Sequence, residues 1–476
     1  MTLPLVDRLA AAVGSAADIF VISQDDLPDR VIERYGSSLT VLDDTDLAAS
    51  RTFDIDVVPT VVHAYPDGNV LTRFVGFDRH AWRDLALDLA NVTGTAMPPI
   101  DWASLPETRP ACGSRSVDIA IEDIGDADLV SRKIDIAPGR DPFETLIDMG
   151  VTDGLPVVPP TPERVRAMLT GTVRAPDDIV AVVPPSMGTA TVEKVAINAV
   201  MAGCRPEYLP VVIAAVEAVC SDDFNIHGVL ATTHFVGPIL IVNGPVRDRI
   251  GMNYGVNALG QGNRANATIG RAVQLLVRNV GGGRPGEIDR ATLGQPGKLT
   301  FCFAENEGRS SWAPLHVERG FAARQSTVTA FAGVGPVPIA DQVSRSAASL
   351  ARSYGLALAA ASHPKQYGLG EIVVIIPPEH VDTFARDGWP KESVRAAIQE
   401  ATRKPASALR RDDECHEGML PSDVERVGSA TPIEKFRSVR DISIVVSGGD
   451  AGKFGAYILG WGGGSRMTTR SIEVMP

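Results

Sequence analysis

The chain has 476 residues, 44% of them hydrophobic and 22% charged, an ordinary globular composition long enough for two or three cored domains. Its formal net charge of −13 speaks against polyanion partners, so neither nucleic acid nor an anionic membrane surface is expected. No apolar run reaches the ~20 residues that span a bilayer, and Asp7 precedes the first apolar stretch without a basic flank, so a cytoplasmic protein without a secretory signal is expected. The five cysteines, Cys112, Cys204, Cys220, Cys302 and Cys415, are scattered without a CxxC, a usage that suits a reducing compartment better than a disulfide framework.

Residues 16–92 alternate strand and helix signals. Strands are expected over 19–22 and 39–42, with helices over 27–35 and 45–51. A strand over 61–65 leads to a turn at 66–69, a returning strand over 70–75 and a closing helix over 79–90. Ile55-x-x-Val58-Pro59-Thr60, the apolar strand after it, Pro66-Asp67-Gly68 and Phe74-Val75-Gly76 together resemble the C-terminal half of a thioredoxin-fold domain. The resemblance covers residues 16–92 and implies a cis peptide at Pro59 on a surface that meets a substrate thiol. The place of the redox CxxC instead reads Ser23-Gln24-Asp25-Asp26-Leu27-Pro28-Asp29, with no thiol. A first domain over 1–95 is therefore expected to dock a thiol redox partner or a second copy in a homo-oligomer, or to serve packing alone.

Residues 96–142 form the expected linker, rich in Pro, Asp, Ser and Gly and broken at Met97-Pro98-Pro99, Leu105-Pro106 and Arg109-Pro110. Within it Cys112 lies between Arg109 and Arg115, a positive setting that favours thiolate. A mobile shuttle thiol and an incidental linker cysteine are the two readings.

Residues 143–476 carry the larger domain. Helices are expected over 163–169, 191–201, 206–219, 265–280, 344–361, 378–387 and 391–402. Strands are expected over 179–183, 228–232, 238–242, 298–303, 327–331, 371–376, 441–447 and 456–459. This alternation says α/β. Val157-Val158-Pro159-Pro160 echoes Ile375-Ile376-Pro377-Pro378, and Ile241-Val242-Asn243-Gly244 echoes Val445-Val446-Ser447-Gly448, which raises an internal duplication. The segments Ala202-Gly203-Cys204-Arg205-Pro206-Glu207-Tyr208 and Asp387-Gly388-Trp389-Pro390-Lys391 resemble parts of uncharacterised bacterial proteins described as thiol-disulfide isomerase-like and associated with the selenoprotein-related UGSC family. The UGSC motif itself is absent, and Cys112-Gly113-Ser114 is its nearest string. The resemblance implies thiol-related redox chemistry and no particular substrate.

Chemistry is expected on loops beyond strand ends. Gly260, Gly262, Asn263 and Arg264 precede a helix whose N-terminus, with the Arg264 fork, suits a phosphate or carboxylate. His227 and His234 flank a stretch read as a strand, where their spacing puts them on opposite faces; as ligands they would imply a transition metal. Cys302, Glu305 and Glu307, followed by Trp312, His316, Glu318 and Arg319, crowd acid, base, aromatic and cation into one stretch. There Cys302 with His316 would supply nucleophile and base, and Glu305 or Glu307 the acid. Lys453 in a glycine-rich segment would neutralise an anion. Cys204, ahead of Pro206 and beside Arg205, is expected to be a depressed-pKa thiol, and Cys415, amid Asp412, Asp413, Glu414 and Glu417, a poor nucleophile.

The combined expectation is an enzyme using thiol redox or nucleophilic chemistry on a small anionic substrate. Cys204 or Cys302 would attack, His316 and Glu305 would carry protons, and Gly260, Gly262, Asn263, Arg264 and Lys453 would hold the anion. A metal-dependent lyase or hydrolase using His227, His234 and His316 is the alternative enzyme. A scaffold is the non-catalytic alternative, distinguished by loops 255–264, 302–319 and 447–455 lying far apart.

Overall fold

A computed structural model describes residues 2–23, 39–44, 48–53, 55, 57–65, 69–109, 112–113, 129–134, 136 and 139–473. The chain forms two compact units, residues 1–125 with 132–134, and residues 126–131 with 135–476. No helix among the described residues is long and apolar enough to cross a membrane.

The first unit opens with helix α1 (Thr2–Val13), then strands β1 (Phe20–Ser23) and β2 (Thr40–Asp43), helix α2 (Ala48–Thr52), and strands β3 (Val57–Val58), β4 (Thr60–Ala64), β5 (Val70–Val75) and β6 (Phe77–Asp78). Helix α3 (Arg79–Thr93) and the short strands β7 (Thr108–Arg109) and β8 (Cys112–Gly113) complete it. Strands β1 and β2 are parallel, β4 and β5 antiparallel, and Val58-Pro59 is cis. Asp78 caps α3 by accepting from the backbone N–H groups of His80 and Ala81, and Gly94 ends it in a left-handed conformation. The core joins Leu5, Leu9 and Val13, one stripe of α1, to Trp82, Leu85 and Leu89 of α3. Helix α1 had no counterpart in the sequence expectations, although its i, i+4, i+8 leucine and valine spacing carries the signal. The linker expectation is corrected in part. Ile100, Trp102 and Leu105 pack on this core, and β7 pairs with β6, so the segment from 100 to 109 is folded onto the first unit. The helix expected over 27–35, the turn at 66–68 and the exposure of the Cys112 thiol fall outside the described residues.

The second unit begins with helices α4 (Pro142–Asp148) and α5 (Pro162–Leu169), the hairpin β9 (Ile179–Val183) and β10 (Gly188–Thr191), and helices α6 (Val192–Ala202), α7 (Leu209–Val219) and α8 (Ile226–Ala231). Strand β11 (Gly237–Asn243), helices α9 (Val246–Arg249) and α10 (Arg264–Asn279), strand β12 (Cys302–Ala304), helix α11 (Leu315–Glu318) and strands β13 (Thr327–Gly333) and β14 (Val337–Ala340) follow. Then come α12 (Ala347–Leu358), β15 (Ile372–Ile376), α13 (Pro378–Arg386), α14 (Lys391–Thr402), β16 (Lys404–Pro405), α15 (Pro421–Val427), β17 (Pro432–Ile433), β18 (Ile442–Val446), β19 (Phe454–Leu459) and β20 (Thr468–Ser471).

Two four-stranded sheets dominate, in the orders β12-β11-β13-β20 and β18-β15-β19-β14. They have the same construction. In each, a central strand pairs parallel with an edge strand (β11 with β12, β15 with β18) and antiparallel with a third (β13, β19). The fourth strand is exchanged: β14, next along the chain from β13, pairs with β19, while β20, next from β19, pairs with β13. Alternation along each strand sorts the side chains between two faces. Ile239, Ile241, Phe303 and Phe331 of one sheet meet Val373, Ile375, Val445 and Ile458 of the other in a dry layer. Leu240, Val242, Cys302 and Ala304 turn the other way and join the core formed with helices α6, α7 and α10. Val374, Ile376, Ile444 and Val446 likewise join the core containing Leu350 and Tyr354 of α12 and Val394 and Ile398 of α14. The result is four layers, helices outside and two sheets within, with strands so apolar that each central one is buried along its whole length.

The strand expected over 228–232 is corrected: residues 226–231 are the helix α8. Asn225, in a left-handed conformation, caps it by accepting from the Gly228 N–H, so the local turn chemistry overrides the β-branched pattern. The helix expected over 206–219 is split into a single 3-10 turn at Pro206–Tyr208 and the α-helix from Leu209.

Candidate functional site

Because β11 and β12 run parallel, as do β15 and β18, all four finish at carboxyl ends, and the loops leaving them converge. The Asn306 N–H donates to the Val446 carbonyl (2.7 Å), the Ser447 N–H to the Ile376 carbonyl (3.3 Å) and the Ser447 hydroxyl to the Ala304 carbonyl (3.2 Å). A fourth loop arrives through the Gly448 N–H, which donates to the Tyr254 carbonyl (3.0 Å). Three asparagines shape that loop. Asn263 donates to the Gly251 carbonyl, Asn266 donates to the carbonyls of Asn253 and Ala258, and Asn253 donates to that of Val256. Loops 302–319 and 447–455 thus meet each other and the residue that leads into loop 255–264 at Asn306, Ser447, Gly448 and Tyr254.

At the junction Asn243 ends β11 and bridges two carboxylates, its Nδ2 donating to Glu305 Oε2 (2.7 Å) and Glu307 Oε1 (3.0 Å). Glu305 is 2% exposed; its Oε2 also accepts from the Leu315 N–H (2.8 Å) and its Oε1 from the Val446 N–H (3.5 Å). It therefore ties β11, β12, α11 and β18 together. Glu307 is held differently. Its Oε1 accepts from Asn243 and from the Gly244 N–H (2.7 Å) and forms an ion pair with Arg247 Nε (3.2 Å), while Oε2 has no hydrogen bond among the described residues. Gly244 has φ +83°, and a Cβ there would lie 2.3 Å from the Gln325 carbonyl oxygen, so only glycine turns the chain toward Glu307. Arg247 is buried, donates to the carbonyls of Gly244 and Glu305, and lies 5.0 Å from the Tyr254 ring centroid. The Tyr254 hydroxyl donates to Asp248 (2.8 Å), which raises its pKa.

Asn243 Oδ1, Thr327 Oγ1 and His316 Nδ1 are buried without a hydrogen-bond partner among the described residues. Asn243 and Thr327 are direct register partners on β11 and β13, so their orphan oxygens share one face. Such groups are normally satisfied, so the Asn243–Thr327 pair marks a place for water or a bound polar molecule.

The expected catalytic set divides. Glu305 and Glu307 reach the junction, and His316, fully buried on α11, sits next to Leu315, whose N–H Glu305 holds. Cys302 does not join them. On β12 it pairs with Leu240 of β11 and faces the helices, one residue out of phase with Phe303 and three with Glu305, so the expected Cys302–His316 pair is corrected by strand alternation. Cys302 instead neighbours Cys204, and burial pushes its thiol pKa up, with that neighbour raising it further. The expectation of a depressed Cys204 pKa is likewise reversed. Burial pushes it up to about 12, outweighing a hydrogen bond from Thr268 and the charge of Arg264.

The expected anion loop is committed internally. Asn263 caps α10 by accepting from the Asn266 N–H, the Gly260 N–H donates to the Asn257 carbonyl, Gly262 turns at φ +109°, and Arg264 Nε donates to the Gly203 carbonyl. Lys453 follows Gly452, whose N–H donates to Glu379, and its charge lowers the His380 pKa already depressed by burial. His227 is exposed on α8, and His234 stacks on Phe235 with burial lowering its pKa. Among the described residues no three His, Cys, Asp or Glu side chains form a group able to hold a metal ion, so His227, His234 and His316 are not such a set. The loop from Ser310 to Gly320 is ordered: Trp312 donates to the Trp389 carbonyl and Lys391 bonds both the Ala313 carbonyl and Glu318.

Asn243, Arg247 and Tyr254 were not named as site residues from sequence. The signal was the echo of Asn243-Gly244 in Ser447-Gly448, which places both motifs at carboxyl ends of parallel strands.

Comparison of the chain with protein-family models, curated proteins and solved structures gives no match.

Proposed function

We propose that the chain is an enzyme that binds a small polar substrate at the junction of the four strand ends and moves a proton with the Glu307 carboxylate. The observation that carries this reading is the unequal state of its two oxygens: Oε1 is pinned by Asn243, Gly244 and Arg247, and Oε2 has no such partner among the described residues. A carboxylate fixed in this way accepts a proton at a defined position. The orphan Asn243 oxygen supplies an acceptor for the same occupant. Two cations nearby are already matched, Arg247 by Glu307 and Asp248, and Arg309 by Asp382 and Asp450. A neutral or cationic substrate therefore suits the junction better than the anion expected from sequence.

The first unit reads as a thioredoxin-like module without its thiols, supported by the parallel β1–β2 pair, cis Pro59 before the antiparallel β4–β5 pair, and the closing helix α3. In this role it docks a partner protein or a second copy. The second unit reads as an internal duplication, supported by the matching strand orders of its two sheets.

The test is depletion of compounds from a library of small polar metabolites, followed by mass spectrometry with the full chain. Wild type consumes a neutral or cationic compound, and Glu307→Gln slows its consumption ~100-fold or more. Cys204→Ala and Cys302→Ala retain the rate. No consumption by wild type, or loss in the cysteine variants with Glu307→Gln active, overturns the reading.

A further inference from the structure

A second reactive constellation lies apart from the strand-end junction. Cys415 and His363, 52 residues apart in sequence, meet with Sγ 3.8 Å from Nε2. His363 Nδ1 accepts from the Lys365 N–H (3.2 Å). A neutral imidazole that accepts at Nδ1 carries its hydrogen at Nε2, and here that hydrogen faces the sulfur. A donor aimed at sulfur stabilises thiolate over thiol.

The surroundings keep this geometry. Asp412 Oδ1 accepts from the N–H groups of Glu414 and Cys415, which fixes the turn carrying the thiol. The Asp412 charge is matched by Lys365 Nζ (2.7 Å), while Lys435 Nζ donates to the His363 carbonyl (2.8 Å) and Lys404 Nζ to the Pro364 carbonyl (2.9 Å). Two lysines thus reach the His363 segment, and a third, within it, reaches the turn that carries Cys415. The carboxylates of Asp413, Glu414 and Glu417, with His416, are exposed along the chain. Cys415 is half-buried, whereas Cys204 and Cys302 are buried. The acidic run alone predicts a poor nucleophile; the distant loop adds an imidazole contact that the local sequence does not contain.

We propose that Cys415 is a modification site for small hydroperoxides, with His363 as its positioning residue. The thiolate sulfur attacks one peroxide oxygen, an S–O bond forms as the O–O bond breaks, and sulfur is oxidised to sulfenic acid. The other oxygen leaves and takes a proton from solvent, so hydrogen peroxide is reduced to water.

The experiment treats the full chain with limiting hydrogen peroxide, traps sulfenic acid with dimedone and maps each cysteine by peptide mass spectrometry. The Cys415 adduct forms ~10-fold or more faster than that of Cys220, which is also half-buried. His363→Ala slows Cys415 ~10-fold at pH 7 and moves the midpoint of its pH–rate profile upward, while the Cys220 rate stays unchanged and reports an intact fold. A Cys415 rate equal to that of Cys220, or the same pH midpoint in His363→Ala with Cys220 unchanged, overturns the proposal. If His363→Ala also alters Cys220, His363→Asn is measured by the same criteria.

Discussion

The Asn243 side-chain amide stands between two carboxylates, 2.7 Å from Glu305 and 3.0 Å from Glu307. One neutral donor thereby holds together two groups that would otherwise repel. Replacing it with Leu, of similar volume, leaves Glu305 buried with a lost donor, and unpaired buried charge is costly. Asn243→Leu is expected to lower stability by about 2–4 kcal/mol in urea unfolding. A change below ~0.5 kcal/mol would show that the amide does not hold the pair.

The two glutamates should separate by phenotype. Glu305 bonds to backbone or side chain from three other elements, so Glu305→Leu is expected to shift the unfolding midpoint well below wild type. Glu307→Gln keeps one carbonyl oxygen for the same donors, and its stability should stay within about 1 kcal/mol of wild type. Thermal and urea unfolding of both variants checks this, and equal losses would remove the distinction between strut and base.

Gly455 lies in β19 where a Cβ would come 2.0 Å from the Tyr354 hydroxyl. Tyr354 is fully buried, and its hydroxyl is 2.8 Å from His380 Nδ1, so it cannot step aside without breaking that bond. Gly455→Ala is expected to cost about 1–3 kcal/mol, and Gly455→Val more. Unfolding at wild-type midpoint in Gly455→Ala would contradict the packing.

Alkaline pH should weaken the fold through the buried thiols. Burial pushes Cys204 up to about 12 from an ordinary 9.0, so between these values the folded chain keeps a proton that the unfolded chain gives up. The stabilisation is full below pH 9 and is lost as pH rises toward 12. Cys204→Ala should flatten the fall of stability across that window by up to about 1.4 kcal/mol per pH unit. Urea unfolding at stepped pH measures it; parallel curves for wild type and variant would refute the assignment.

Much of the second unit is readable from periodicity. The helix over 391–402 and the strand over 179–183 have the bounds expected from sequence, because Pro390 and the apolar spacing mark them locally. Misreadings arise where a local device or distant partner decides. Asn225 turns 226–231 into a helix where a strand was expected, and Asn263 uses its side chain to cap the helix from Arg264. Glu305 and Cys302 sit close in sequence, yet strand alternation sends one to the junction and the other to the helices. The Cys415–His363 pair depends on a contact between segments 52 residues apart, which no window along the chain contains.

The exchange of β14 and β20 has a consequence for synthesis. The sheet begun by β11 lacks its final edge until residues 468–471 have left the ribosome, because only β20 covers β13 on that side. Truncation after β19 would therefore harm the half of the unit that was made first, leaving an uncapped strand open to pairing with a neighbouring chain.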